Sequence, residues 1–360
     1  MKKLILVAAF LLVSTAAFAQ VTPAAGYTPP NDTPSFKVGA TIFADYTYQE
    51  SPEITDPDKQ TVNLSSFNVG RAYINVTGNL NHYLSFRITP DIVRETNGAN
   101  TIAGSYVFRL KYAFGQFNLD DWTTHGSWVR FGMQQTPYID YTEGVYRYRF
   151  QGTTFFDREG QISSSDTGLS GHWNFPGNYG DVHAGFYNGE NYNRVETNNQ
   201  KAFQIRGTLR PVPLGGIWKG LRLTAFGDFD KPSSDGKRDR YVGQITFEHP
   251  MIVAGLEYGS IKNRASGLVT EVDSKGYSLW VTPRFGTSGW EALLRHDQYE
   301  PNTDLDNQKR KRDIVGIAYW FNPLQGVQTA LLGDYDSTKN DGGLAGGKVT
   351  LYALHMLVNF

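Results

Sequence analysis

Thr350-Leu351-Tyr352-Ala353-Leu354-His355-Met356-Leu357-Val358-Asn359-Phe360 is the stretch on which the reading of the fold turns. Tyr352, Leu354, Met356, Val358 and Phe360 fall at every second place, and side chains two apart share one face of a strand. A tilted β-strand crosses the hydrocarbon of a membrane in about ten residues. The stretch therefore predicts a spanning strand with one apolar face, and it ends on the aromatic ring itself.

The same rhythm repeats backwards along the chain. Aromatic or aliphatic residues recur at alternate positions in Phe36–Tyr48, Leu64–Thr77, Tyr83–Val93, Gly104–Phe117, Ser127–Gln134, Asp166–Phe175, Asp181–Asn188 and Gln200–Arg210. They recur again in Leu221–Asp230, Asp239–Glu248, Met251–Ile261, Glu271–Phe285, Trp290–Tyr299, Lys311–Phe321, Val327–Asp336 and Lys348–Phe360. That makes about sixteen strands, an even number, as a bacterial membrane barrel requires. Connections alternate in length. Gly78–His82, Pro176–Gly180, His249-Pro250, Gly286–Gly289 and Asn322–Gly326 are short. Gln49–Asn63, Arg94–Ala103, Gly189–Asn199, Lys262–Val269, Glu300–Arg310 and Ser337–Gly347 are longer and polar. Asn118–Gly126 and Pro211–Gly220 are long for the short side. The fold class is thus all-β: a transmembrane antiparallel β-barrel with short periplasmic turns and long extracellular loops. Trp128, Trp173, Trp290 and Trp320 fall near strand ends, where an indole would sit at the membrane–water boundary.

At the other end, Met1-Lys2-Lys3 precedes an apolar run from Leu4 to Val13, and Ala17-Phe18-Ala19 supplies small residues before Gln20. This order predicts a secretory signal peptide over 1–19. Residues 20–35, rich in Pro, Ala and Thr, read as a periplasmic linker, and 36–360 as the barrel. Taking Lys2 and Lys3 from the 34 basic residues leaves 32 against 35 acidic, a charge near −3. That balance argues against nucleic acid as a partner. With no cysteine, there is no disulfide, thiolate nucleophile or thiolate metal site. The 38 Gly, 22 Phe, 21 Tyr and 7 Trp suit a barrel wall.

Alternation also sorts charges by face. In Tyr106 to Phe114 the apolar face is Tyr106, Phe108, Leu110, Tyr112 and Phe114, so Arg109 and Lys111 point inward. The same sorting sends Arg71, Arg87, Arg130, Arg206, Arg222 and Arg284 inward, with the acids Asp45, Asp228, Glu248, Glu257 and Asp334. A cation on the lipid face at mid-bilayer costs roughly 2–4 kcal/mol. By this count bases exceed acids in the lumen, and a low-dielectric wall of one sign enriches counter-ions of the other. Small anions are the solutes this favours. Lumenal arginines that pair with acids and brace the wall are the bland alternative.

Residues 135–165 form the longest connection in the first half. Tyr146-Arg147-Tyr148-Arg149-Phe150 and Phe155-Phe156-Asp157-Arg158-Glu159 lie within it. If it folds into the barrel it makes a constriction, with Arg147, Arg149 and Arg158 as a basic ring that would select anions. Asp140, Glu143, Asp157 and Glu159 stand among them, and Tyr146 to Phe150 also reads as a strand extension. The seven histidines, His82, His125, His172, His183, His249, His296 and His355, show no catalytic spacing, so no enzyme is expected. No metal motif and no phosphate-cradling glycine loop is present, so no cofactor is expected. A channel for neutral solutes such as sugars, and a structural or adhesive barrel with a closed lumen, remain open.

The terminal strand resembles that of bacterial outer-membrane proteins, in which the final Phe, here Phe360, is read by the barrel assembly machinery. Phe67-Asn68-Val69-Gly70-Arg71-Ala72-Tyr73-Ile74-Asn75-Val76-Thr77-Gly78, Leu110-Lys111-Tyr112-Ala113-Phe114 and Val129-Arg130-Phe131-Gly132-Met133-Gln134-Gln135-Thr136-Pro137 resemble the phosphate-selective porin O and P family. The resemblance implies a sixteen-stranded, trimeric porin in outer-membrane lipid. It also implies inward arginines and lysines that guide anions, phosphate among them, through a narrow eyelet.

Overall fold

The computed structural model describes residues 32–265, 267–268, 270–321 and 326–360. The predicted signal peptide and most of the predicted linker lie outside the described residues, as does most of the Asn322–Gly326 turn. Sixteen antiparallel strands close into one barrel, each paired with its sequence neighbours and the first with the last. They are β1 (Ser35–Ser51), β2 (Ser65–Asn79), β3 (Leu84–Arg94), β4 (Tyr106–Asn118), β5 (Trp128–Gln135), β6 (Ser165–Asn174), β7 (Gly180–Tyr187) and β8 (Ala202–Leu209). Then come β9 (Leu221–Asp230), β10 (Lys237–His249), β11 (Ile252–Arg264), β12 (Val272–Pro283), β13 (Trp290–Glu300), β14 (Arg310–Trp320), β15 (Gln328–Asn340) and β16 (Lys348–Asn359). Every strand read from the sequence is present, with ends displaced by a few residues. β11 and β15 run further toward the loops than alternation predicts, to Arg264 and Asn340.

Closure is made at β1, which pairs with β16 from Thr41↔Asn359 upward and with β2 along its other edge. Ala40 and Phe360 exchange both backbone hydrogen bonds, at 2.9 and 3.0 Å. A Cβ on Gly39 would stand 2.3 Å from the Phe360 carbonyl oxygen, so glycine is needed for the strands to approach there. Both long turns are self-bonded: Gly126 N–H donates to Asp120 Oδ1 at 2.6 Å, and Ile217–Gly220 forms a 3-10 turn.

Below the loop end of the wall, outward positions carry an apolar surface, with Phe108 68% and Phe131 71% exposed, and most charges of the strands point inward. A continuous apolar exterior of this kind is stable only against lipid or a partner. The sorting by alternation needs correction in β4. Thr89 of β3 opposes Tyr112, whereas Pro90 opposes Leu110, so Lys111 is an extra residue. Proline has no N–H for the ladder, and bulges are where strands tolerate it. The bulge reverses the parity beyond it, so Tyr112 and Phe114 face inward, each 8% exposed, beneath Arg87 and Arg130 respectively. Two tryptophans also depart from expectation. Trp128 is 1% exposed, with Arg130 over its ring at 3.7 Å, and Trp320 is 9% exposed, its N–H donating to the Tyr148 hydroxyl. Both brace the interior, whereas Trp173 and Trp290 are half exposed on the outer wall.

Gly39→Val should impair closure, because the branched side chain meets the Phe360 carbonyl. Gly115→Ala, whose Cβ enters open space, should not. Electrophoresis of unheated, lipid-refolded samples reads this directly: a reduced folded band for Gly39→Val alone is expected, and equal folding of both variants contradicts it.

Candidate functional site: an inward-folded segment and a cationic eyelet

The chain leaves the wall at Thr136, where Pro137 occupies the first turn of a helix, α1 (Pro137–Val145). Proline is well placed there because the first N–H of a helix has no partner anyway. Thr136 N–H donates to the Ser164 carbonyl at 3.3 Å, which pins the neck of the segment. A second short helix, α2 (Phe155–Arg158), precedes the return to β6. Between the two, Tyr146 to Phe150 is not a strand; the reading as a strand extension is therefore corrected.

The segment packs inside the barrel against the β10–β15 wall. Gly259 and Gly276 oppose each other on β11 and β12, and a Cβ on either would stand 2.4 or 2.6 Å from the ring of Phe156 or Phe155. The paired glycines are the socket for the two phenylalanines, each 0% exposed. Polar contacts continue the seam. The Tyr138 hydroxyl donates to Glu257, and Tyr141 and Thr246 hydroxyls lie 3.1 Å apart. The Tyr148 hydroxyl donates to Glu291 at 2.9 Å, and Gln151 Nε2 donates to Asp334 and Asp336 at 3.0 and 3.2 Å.

The three arginines expected to form one ring are separated. Arg147 reaches Glu291 at 2.5 Å and lies over Trp320. Arg158 sits 2.7 Å from Glu159 and 3.2 Å from Asp297. Arg149, bonded to Glu143 at 2.7 Å, faces the opposite wall. There it lines a cavity of about 160 Å³ with Thr41, Phe43, Tyr73, Asn75, Arg87, Lys111, Tyr112 and Glu143. Arg87 donates to Asn75 at 2.8 Å and Thr89 at 3.0 Å, and Lys111 donates to Ser164. Neither has a carboxylate in ion-pair reach among the described residues. Arg71 and Arg109 share the single buried carboxylate of Asp91, at 2.5 and 2.8 Å.

The other inward bases are braced. Arg206 pairs with Asp181, Arg222 with Glu248 at 2.8 Å and Arg284 with Glu291 at 3.1 Å, while Arg130 donates to Gln116 at 2.7 Å. Toward the turns lies a cavity of about 560 Å³ lined by Arg206, Arg210, Arg222, Asp140 and Asp181 among others. All eight wall bases named from the sequence thus face the lumen, but the broad excess of base over acid does not hold. Asp91, Asp166, Asp181, Asp230, Glu291, Asp297 and Asp336 are inward acids that the first sorting missed, and most bind an arginine. The same alternation, carried along every strand, would have found them. Tyr192 was not legible at all: it comes from the β7–β8 loop, and its ring lies 3.9 Å from Lys111 Nζ and 4.9 Å from the Arg109 guanidinium.

A serine–histidine contact does occur, Ser170 Oγ to His183 Nε2 at 3.1 Å. The Ser170 hydroxyl donates instead to Gln134 at 2.6 Å, and the nearby carboxylate of Asp181 serves His172 and Arg206. That arrangement lacks the oriented base a nucleophile needs. Among the described residues no group of three His, Asp or Glu side chains could hold a metal ion.

No family model matches the sequence, and no curated protein matches it. Solved structures do match. An anion-selective porin from Comamonas acidovorans aligns with a TM-score of 0.63 over 91% of this chain and 100% of its own, at 13% identity. Outer-membrane expressed OmpT of Vibrio cholerae gives 0.60 over 93% and 100%, at 12% identity. OprB of Pseudomonas putida gives 0.54 over 90% and 94%, at 10% identity. At such identities the likeness establishes the fold: a closed sixteen-stranded barrel of the bacterial outer-membrane type.

Phe156→Ala removes the ring from the glycine socket and should weaken docking of the segment by about 3–5 kcal/mol. In lipid vesicles, limited proteolysis within 136–164 should become faster while the barrel stays intact. Cleavage no faster than in the unaltered protein contradicts the docking geometry.

Proposed function

We propose that the chain is an outer-membrane porin that lets small anions, phosphate among them, diffuse through its lumen. The observation that carries this reading is the lining of the eyelet: Arg87, Lys111 and Arg149 meet Glu143, with Asp157 the other carboxylate near them, so cations outnumber acids. Just beside it, Arg71 and Arg109 share Asp91 and add a further unbalanced positive charge. A narrow passage ringed by arginine and lysine favours anions and excludes cations. Guanidinium groups add a planar fork that suits phosphate and carboxylate oxygens. The anion selectivity of the Comamonas porin belongs to that protein, and it makes the same chemistry the first to test here.

Export would use residues 1–19 as a cleaved signal, and Phe360, 57% exposed, would be the residue the assembly machinery reads. A homotrimer is the assembly that the sequence resemblance implies. Among the described residues the Ser170 hydroxyl beside His183 is turned to Gln134, which favours a passive channel in this reading. Lumenal rings packed against wall arginines leave few aromatic faces for sugar stacking, which disfavours a dedicated neutral-solute channel.

Reversal potentials in a planar bilayer under a KCl gradient test the proposal. An anion-selective potential is expected. At about 4 Å in water-like dielectric each charge contributes about 1 kcal/mol, or about fivefold in anion occupancy. Arg87→Gln with Lys111→Gln should therefore move the potential strongly toward zero, and phosphate should block chloride current in the unaltered protein. A near-zero potential with open conductance would turn the reading toward neutral solutes. Absence of conductance would leave a structural or adhesive barrel.

A further inference from the structure

The outer wall at the loop end of β14–β16 carries three lysines in one register row. Lys339 of β15 directly opposes Lys311 of β14 on one side and Lys348 of β16 on the other. All three are exposed and share the outward parity of Val315, Tyr335 and Tyr352. Directly opposed residues on adjacent strands hold their side chains about 5 Å apart, and like charges there destabilise the sheet. The row has no carboxylate in ion-pair reach among the described residues. The nearby outward acid, Asp313, is taken by His296 at 2.6 Å. Neighbouring strands differ: Lys275 has Glu300 at 3.5 Å and Lys262 has Glu271 at 3.7 Å.

Below the row, Tyr335 and Tyr352 stand with ring centroids 5.5 Å apart. Outward tyrosines mark the level at which a membrane's hydrocarbon gives way to its headgroups. Further down the same face, Val315 and Leu354 are half exposed and apolar. The lysine row therefore lies at headgroup height, above a surface fit for acyl chains.

We propose that Lys311, Lys339 and Lys348 form a binding row for the phosphate groups of membrane lipid in the leaflet on the loop side. Three ammonium groups in a row at strand spacing match a doubly phosphorylated headgroup, whose charge removes the repulsion the register creates. The exterior position and the apolar wall beneath select a lipid over free phosphate, which would find no enclosure there. This inference is independent of what passes through the lumen.

Native mass spectrometry of the full protein in detergent micelles, titrated with lipid A, tests it. A lysine near an anionic membrane surface contributes about 1 kcal/mol, so replacing all three by Gln should weaken binding roughly a hundredfold. Replacing all three by Arg should preserve it, and electrophoresis of unheated samples checks that both variants are folded. Dephosphorylated lipid A should bind the unaltered protein no better than it binds the Gln variant. Equal lipid A binding by the unaltered and Gln proteins would overturn the proposal. So would equal binding of the dephosphorylated lipid, or displacement of lipid A by equimolar inorganic phosphate.

Discussion

The hydrogen bonds between β1 and β16 are the constraint on which the rest of the structure depends. A backbone polar group facing hydrocarbon without a partner costs several kcal/mol, so a sheet can sit in a membrane only if it has no free edge. Once β1 closes on β16, every strand acquires an inside and an outside. The period of two then decides which residues meet lipid and which meet water. Gly39 matters because a side chain there would separate the two closing strands, and Pro90 matters because it cannot donate to the ladder. The bulge it leaves in β4 brings Lys111 and Tyr112 onto the lumen side together.

The segment between β5 and β6 turns this wall into a site by using up one side of it. Phe155 and Phe156 lock into the glycine pair of β11 and β12. Carboxylates on that side, Glu257, Glu291, Asp334 and Asp336, are met by tyrosine, glutamine or arginine. The opposite side, β2 to β4, keeps its cations with few acids to meet them. Charge in the lumen is thus nearly matched overall and unmatched locally. Buried pairs such as Arg206–Asp181 hold the wall in shape, and an arginine stripped of its acid there would leave a costly buried charge. Arg87 and Lys111, by contrast, are held by the neutral groups Asn75, Thr89 and Ser164.

Strand number, the order of short and long connections and the inward sense of the wall bases were legible in the sequence from local alternation, except that the side of Arg71 is set by a bulge at Gly70. The faces of Tyr112 and Phe114 were not, since one bulge inverts every residue beyond it. Trp128 and Trp320 were assigned to the lipid boundary by type and height; what decides their place is the arginines and tyrosines they pack against, which are distant in sequence. The ring of Arg147, Arg149 and Arg158 failed for a similar reason. Neighbours along a folded segment reach different walls, and of the three Arg149 lines the cavity against β1 to β4. Tyr192 over Lys111 is a contact between a loop and a strand that no spacing could reveal.

The chain has no cysteine, so single cysteines can be placed without background. The most direct measurement is the rate at which charged, water-soluble thiol reagents modify cysteines placed one at a time from 109 to 114, with the protein in lipid vesicles. Reaction is expected at 109, 111, 112 and 114, protection at 110 and 113, and faster reaction at 111 with an anionic reagent than with a cationic one. Protection at 112 and 114 with reaction at 113, or a faster cationic reagent at 111, would contradict both the bulge and the cationic eyelet built on it.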